Sequence, residues 1–366
     1  MKLNKLVKVG VVVRDLDAAL ESYAKVFGID SWVVNDYTDD RLSNMVAHGR
    51  RSAGTFRSAV GVTRPPGEGC TPLGAPFRPV TFELVQPVSG ESVFNEFLRT
   101  RAGEGICFLT VRAALPEDTE TDAVDQHFAD LRIDNSFEFT VDGRTKRRFW
   151  DTQRHLGGFF LEVLTEDLAI DGQHVRPAVA SSADGPTAVP VQGVSHFGVV
   201  VPDVVAVLPN YSRIFGIDQW AMQSWETEPG RLDAPHYRGE AVNHAYFTGT
   251  GIGEDFGFEV IQPTSGPSHY GQEFMADRGP GIHHILTYMT DSEQDWATVG
   301  QSFEKAGAEV CMGSEMGHGA GVFAYHDTFA QLHGFLVETV LVRPELAAGA
   351  PPPFDYVVNF AETVGV

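Results

Sequence analysis

Positive charge, cysteine, long apolar runs and, in its first half, histidine are all scarce in this chain. Its 27 Lys+Arg face 49 Asp+Glu, a formal charge of −22 over 366 residues. Such a balance argues against nucleic acid, anionic membrane surfaces and polyphosphates as main partners, because each is bound chiefly by neutralising its charge. The three cysteines, Cys70, Cys107 and Cys311, are distant from one another and form no CxxC pair; this excludes a disulfide framework and fits a reduced, cytoplasmic setting. No run approaches the roughly 18–20 apolar residues of a membrane span. The opening MKLNKLVKVGVVVRDLD lacks the apolar core and cleavage site of a signal peptide. Of 13 histidines, four (His48, His127, His155, His174) precede residue 188 and nine follow it.

What remains is a globular composition: 43% hydrophobic, 21% charged, with 25 Phe. The length is about twice that of a common domain of roughly 100–200 residues, and 38 Gly with 21 Pro predict many turns, hence many strands. An internal repeat resolves the length. KVGVVVRDLDAALESYAKVFGIDSW from Lys8 returns as HFGVVVPDVVAVLPNYSRIFGIDQW from His196, an offset of 188. FELVQPVSG from Phe82 returns as FEVIQPTSG from Phe258, GEGICFLT from Gly103 as GPGIHHIL from Gly279, and WDTQRHLGGFFLEVL from Trp150 as HDTFAQLHGFLVETV from His326, all at offset 176.

Each half is itself doubled. A β-branched run precedes a helix with apolar residues at Leu16, Leu20, Tyr23 and Phe27, ended by Gly28 (Gly216 in the second half), and strands rich in Val, Phe and Thr follow. The order then repeats, with helices at about 122–131 and 295–306. Four βαβββ units result. Residues 166–192 read as an aperiodic linker between halves 1–165 and 193–342. The 343–366 tail suits a docked arm or a homodimer contact.

This grammar, and above all HFGVVVPD, FEVIQPTSG, GPGIHHI and FLVETV, resembles the vicinal oxygen chelate superfamily, which includes glyoxalase I, methylmalonyl-CoA epimerase, extradiol dioxygenases and bleomycin-resistance proteins. The motifs look most like the epimerase branch. The resemblance implies an α+β fold in which four βαβββ modules pair into two cupped mixed β-sheet half-barrels. It also implies one divalent metal ion held by residues from the first and last strands of each module. Mapped onto this sequence, the ligands are His196, Glu259, His284 and Glu338, a donor set suited to Zn, Ni, Co, Mn or Fe(II). Strand alternation places each on the cup face and sends His283 to the opposite face. A carboxylate on an otherwise apolar strand is suspicious by itself, since burying it unpartnered costs several kcal/mol, on the order of a lost ion pair.

The first half acts as a control. Its equivalent positions are Lys8, Glu83, Phe108 and Glu162, so both carboxylates remain without imidazoles; Lys8 could neutralise them and Cys107 reads as a buried thiol. Tyr325 and His326 replace Phe149 and Trp150, His333 replaces Gly157, and His244 sits in an aromatic strand; any of these could be a general acid or base, as could Glu259 or Glu338. The leading expectation is a metal-dependent isomerase, epimerase or lyase moving a proton beside a chelated carbonyl or enediolate. The alternatives are an Fe(II) ring-cleaving dioxygenase using His196, His284 and Glu338, and a non-enzymatic, ligand-sequestering protein. The negative charge favours a small, largely apolar carbonyl or hydroxy substrate over a CoA thioester.

Overall fold

The four apolar positions of the first repeat lie along one side of a helix because they recur at i, i+4, i+7 and i+11. The computed structural model shows that helix at Leu16–Phe27. Asp15 caps it by accepting from the Ala18 amide, and Gly28 ends it in the left-handed conformation. The second half repeats the device with Asp203, the helix Val204–Phe215 and Gly216. The structure describes residues 2–29, 31–63, 77–114, 123–165, 174–177, 189–227, 230–348 and 354–363; Cys70 and much of the 166–192 stretch lie outside these.

Among the described residues each half builds one 11-stranded mixed sheet. In the first, Lys2–Val12 runs parallel to Thr81–Gly90 and antiparallel to Gly105–Ala114, which is parallel to Phe160–Leu164. In the second, His196–Val200 is flanked in the same way by Gly257–Ser265 and Gly281–Thr290, and the latter by Leu336–Val342. The four strands expected to carry ligands are therefore neighbours at the sheet centre. Hairpins inserted in the first and third modules cross to the other module of their half: Leu42–Ala47 pairs with Asn135–Val141, and Leu232–Tyr237 with Val310–Met316. The result is the α+β architecture of four βαβββ modules in two cupped half-barrels.

Two short strands were not legible in the sequence. His174–Pro177, inside the stretch read as linker, pairs with Ser31–Tyr37, and Tyr356–Asn359 of the tail pairs with Gln219–Glu226. Both occupy the same edge of their half, where an added strand covers exposed backbone groups. The tail thus docks on its own chain.

Packing separates the two faces of each sheet. The largest apolar cluster joins the helix-bearing faces of both halves, from Val9, Tyr23 and Phe82 to Phe197, Tyr211 and Phe335. Tyr23 donates to the Leu332 carbonyl and Tyr211 to that of Leu156, reciprocal bonds across the halves. The concave faces hold separate clusters, one per cup. Among the described residues no helix is long and apolar enough to cross a membrane.

Candidate metal centre

Alternation sorts the ligand strands as expected. Phe197, Val199 and Val201 join the core between the halves, whereas Val200 faces the cup with His196; Phe258 and Val260 oppose Ile261, and Phe335 and Val337 oppose Leu336 and Val340. Glu259 and Glu338 share the cup side of their strands. At His283 the alternation breaks, which corrects the expectation that it faces away. Gly198 pairs with His284 but Val199 pairs with Ile282, so His283 is the extra residue of a β-bulge. A bulge re-aims side chains, and here it turns His283 and His284 into the cup together. Gly198 must lack a side chain, because a Cβ there would collide with the His284 ring.

His196, Glu259, His284 and Glu338 each offer one donor atom, all within 4.8 Å of one another. Glu338 Oε2 lies 3.4 Å from His196 Nε2 and 3.3 Å from His284 Nε2, and Glu259 Oε2 lies 3.6 Å from His284 Nε2. Donors at about 2.0–2.2 Å from one ion stand roughly 3 Å apart when adjacent, so the cluster is near the size an ion demands. Its hydrogen bonding points the same way: His196 Nε2, His284 Nε2 and Glu338 Oε2 are buried without an aligned partner. Orphaned buried polar atoms are costly, and three aimed at one point fit a missing cation. Two carboxylates and two neutral imidazoles sum to −2, which a divalent ion cancels. Without it, burial disfavours a charge on His284, yet the Glu338 carboxylate outweighs this and lifts the imidazole to about 9. Burial likewise raises the Glu338 carboxyl, but His284 and His196 bring it down to about 2.

The remaining candidates divide. Tyr325 faces the cup, its ring 4.6 Å from that of His284 and its hydroxyl 2.5 Å from the Tyr270 hydroxyl. Burial pushes both phenols well above their ordinary value, so they stand as neutral donors. His326, the next residue along the strand, points the other way: it stacks on Phe303 at 3.9 Å and bonds Thr339. Burial lowers it to about 3. Its expected acid–base role is not supported by this placement. His333 pairs with Glu104 of the first half, and His244 faces the Pro267 carbonyl.

Among the described residues the first-half cup contains no such cluster. Lys8 Nζ lies 2.6 Å from Glu83 and 3.5 Å from Glu162, as expected, but sequence reading missed Arg147. Its guanidinium bonds Glu83 through Nη1 and Nη2 at 2.7 and 2.8 Å, and Glu162 through Nε at 2.5 Å. Two cations and two carboxylates make the site neutral, and aromatic side chains fill the rest. The signal for Arg147 was alternation with Phe149 in TKRRFW. Sequence reading also missed His269, Tyr270 and Glu273, which stand where offset 176 gives Val93, Phe94 and Phe97 in the first half.

A family model described as the Glyoxalase/Bleomycin resistance protein/Dioxygenase superfamily matches residues 195–325. No curated protein matches the sequence. Among solved structures, a triple mutant of 4-hydroxymandelate synthase from Streptomyces coelicolor aligns with a TM-score of 0.54 and 13% identity over 93% of both chains, a likeness of fold. A xylose isomerase-like TIM barrel/4-hydroxyphenylpyruvate dioxygenase fusion protein aligns at TM-score 0.47 and 10% identity, over 93% of this chain and 49% of its own.

Proposed function

Since the chain belongs to the glyoxalase/bleomycin resistance/dioxygenase superfamily, also called the vicinal oxygen chelate superfamily, we propose that it is a divalent-metal-dependent enzyme of the dioxygenase type, with its centre in the second half. The observation that carries this reading is the convergence of His196 Nε2, His284 Nε2 and Glu338 Oε2, three buried atoms of one cluster left without partners. Two imidazoles and one carboxylate are the donor set of non-haem Fe(II) oxygenases. An Fe(II) ion bound there would supply Lewis acidity, redox chemistry and open positions for a chelating substrate and O₂.

The chain's own residues define the remainder. Glu259 and His196 are the partly exposed members of the cluster, at 14% and 13%, and of the two Glu259 is the carboxylate that could accept a proton from an incoming hydroxyl. The Tyr270–Tyr325 pair can orient a substrate oxygen by donating a hydrogen bond. Trp225, Tyr246 and Phe274 close the cup with apolar surface, which excludes water and suits a small, largely apolar hydroxy or carbonyl compound. One observation favours a second reading, the isomerase or lyase: Glu259 lies close enough to complete a four-ligand set, leaving two open positions in an octahedral ion.

Anaerobic loading with Fe(II), followed by O₂ uptake against a panel of small hydroxylated aromatic and 2-oxo acids, separates the two. Glu259→Ala that keeps Fe(II) and O₂ uptake supports the dioxygenase. Loss of metal from that variant, with metal-dependent proton exchange but no O₂ uptake in the wild type, supports the isomerase.

A further inference from the structure

Behind the cluster three imidazoles and a carboxylate stand in single file. His284 Nδ1 lies 3.0 Å from His283 Nδ1, His283 Nε2 lies 2.8 Å from His269 Nδ1, and His269 Nε2 faces Glu273 Oε2 at 3.5 Å. His269, His283 and His284 are buried. Glu273 sits at the partly exposed outer end, where Tyr237 and Arg238 both donate to it. His269 and Glu273 belong to one helical turn, His269–Met275, whose N-terminus Ser268 caps.

Building on the metal reading above, we infer that Glu273, His269 and His283 are positioning residues, which fix His284 in the tautomer whose Nε2 lone pair faces the cup. A neutral imidazole has one donor and one acceptor nitrogen, so the file can run in only one sense once an end is set. Glu273 sets it. Burial pushes its carboxyl up, but Arg238 and Tyr237 outweigh this and hold it at about 2, so at neutral pH it only accepts. His269, kept neutral by burial at about 4, then carries its proton on Nε2, which faces that carboxylate at 3.5 Å, and accepts at Nδ1. His283 must donate from Nε2 and accept at Nδ1, and His284 must donate from Nδ1. His284 Nε2, the nitrogen that faces Glu259 and Glu338, is then the one left to present its lone pair to an ion. A metal-bound histidine commonly donates its other N–H to a carboxylate; here two further imidazoles carry that constraint from a carboxylate at the protein surface.

The first half provides an independent observation. At offset 176, the residues matching Glu273, His269, His283 and His284 are Phe97, Val93, Cys107 and Phe108. The bulge persists there, since Gly10 pairs with Phe108 and Val11 with Ile106, so local backbone geometry does not require the histidines. The whole file is absent where the imidazole ligands are absent.

The test combines two readouts on the full chain. Nitrogen-15 NMR of the metal-free protein reads the tautomers directly: the expected result is a proton on Nε2 of both His269 and His283. Titration with Co(II), followed by its visible absorption, reads the consequence. Glu273→Leu and His269→Val should weaken Co(II) binding by about 10–100-fold, while Glu273→Gln, which keeps an acceptor oxygen, should lose less. A proton on His283 Nδ1, or Co(II) affinity unchanged in both variants, overturns the inference alone. Failure of the wild type to take up Co(II) overturns the metal reading and this inference with it.

Discussion

In both cups a glutamate from the last strand of each module points inward: Glu83 and Glu162 in the first half, Glu259 and Glu338 in the second. The first cup answers them with Arg147 and Lys8, charges fixed to the chain, and packs phenyl rings over the rest. The second has Phe323 where Arg147 would stand and His196 where Lys8 would, and its carboxylates face imidazole nitrogens. Three aromatic positions change in the same direction. Phe94 becomes Tyr270 and Phe149 becomes Tyr325 by the repeat, while Phe56 becomes Tyr246 by register, since they pair with Pro87 and Pro263 respectively. A buried carboxylate pair must be compensated; a guanidinium does so permanently, whereas an imidazole does so only while protonated and can hand the compensation to an exchangeable ion. One sheet geometry therefore yields one cup closed by fixed charges and one whose donors could hold an ion.

Exchanging residues between the cups tests this difference, and the largest effect is expected at the metal cluster. His284→Phe, which installs the first-half residue, should eliminate bound metal while leaving the first half folded; elemental analysis and near-ultraviolet circular dichroism read the two parts separately. Arg147→Met is the converse change. It leaves two buried carboxylates to Lys8 alone and should destabilise the first half by about 3–5 kcal/mol in urea unfolding, without altering metal content.

A smaller effect is expected from acid. Burial raises the Glu83 carboxyl, but Arg147 and Lys8 together bring it from 4.5 to about 2. A carboxylate depressed in the folded state contributes stability that is complete above its unfolded value and is lost as pH falls through its folded one. First-half stability should therefore hold down to about pH 4.5 and decline toward pH 2, a decline that becomes shallower in Glu83→Gln. Equilibrium unfolding across that range checks it. The smallest effect belongs to Tyr270→Phe, which removes one phenol hydrogen bond. It should cost about 0.5–1.5 kcal/mol and leave metal content unchanged while slowing turnover.

The repeat made the fold legible, because two copies at constant offset fix which strands correspond, and alternation then fixes which face each residue takes. The four donors His196, Glu259, His284 and Glu338 came from the family resemblance, which points to the first and last strand of each module, and alternation placed them on the cup face. It failed at His283, where a bulge adds one residue and breaks the period of two, a feature set by pairing across strands rather than by the strand's own sequence. It also failed for His269 and Glu273, which lie on a helical turn between strands, outside the pattern. Arg147 escaped because its strand reads as charged and exposed until Phe149 shows which face it shares. His326 is the opposite case: its chemistry attracted attention, and alternation from Tyr325 turns it away from the cup.

The proposed function places one divalent ion in the second cup and none in the first. Elemental analysis of protein purified without chelator measures it most directly. The expected result is about one divalent ion per chain, unchanged in Arg147→Met and lost in His284→Phe; protein that binds no divalent ion even after loading, or an ion that survives His284→Phe, would contradict that placement.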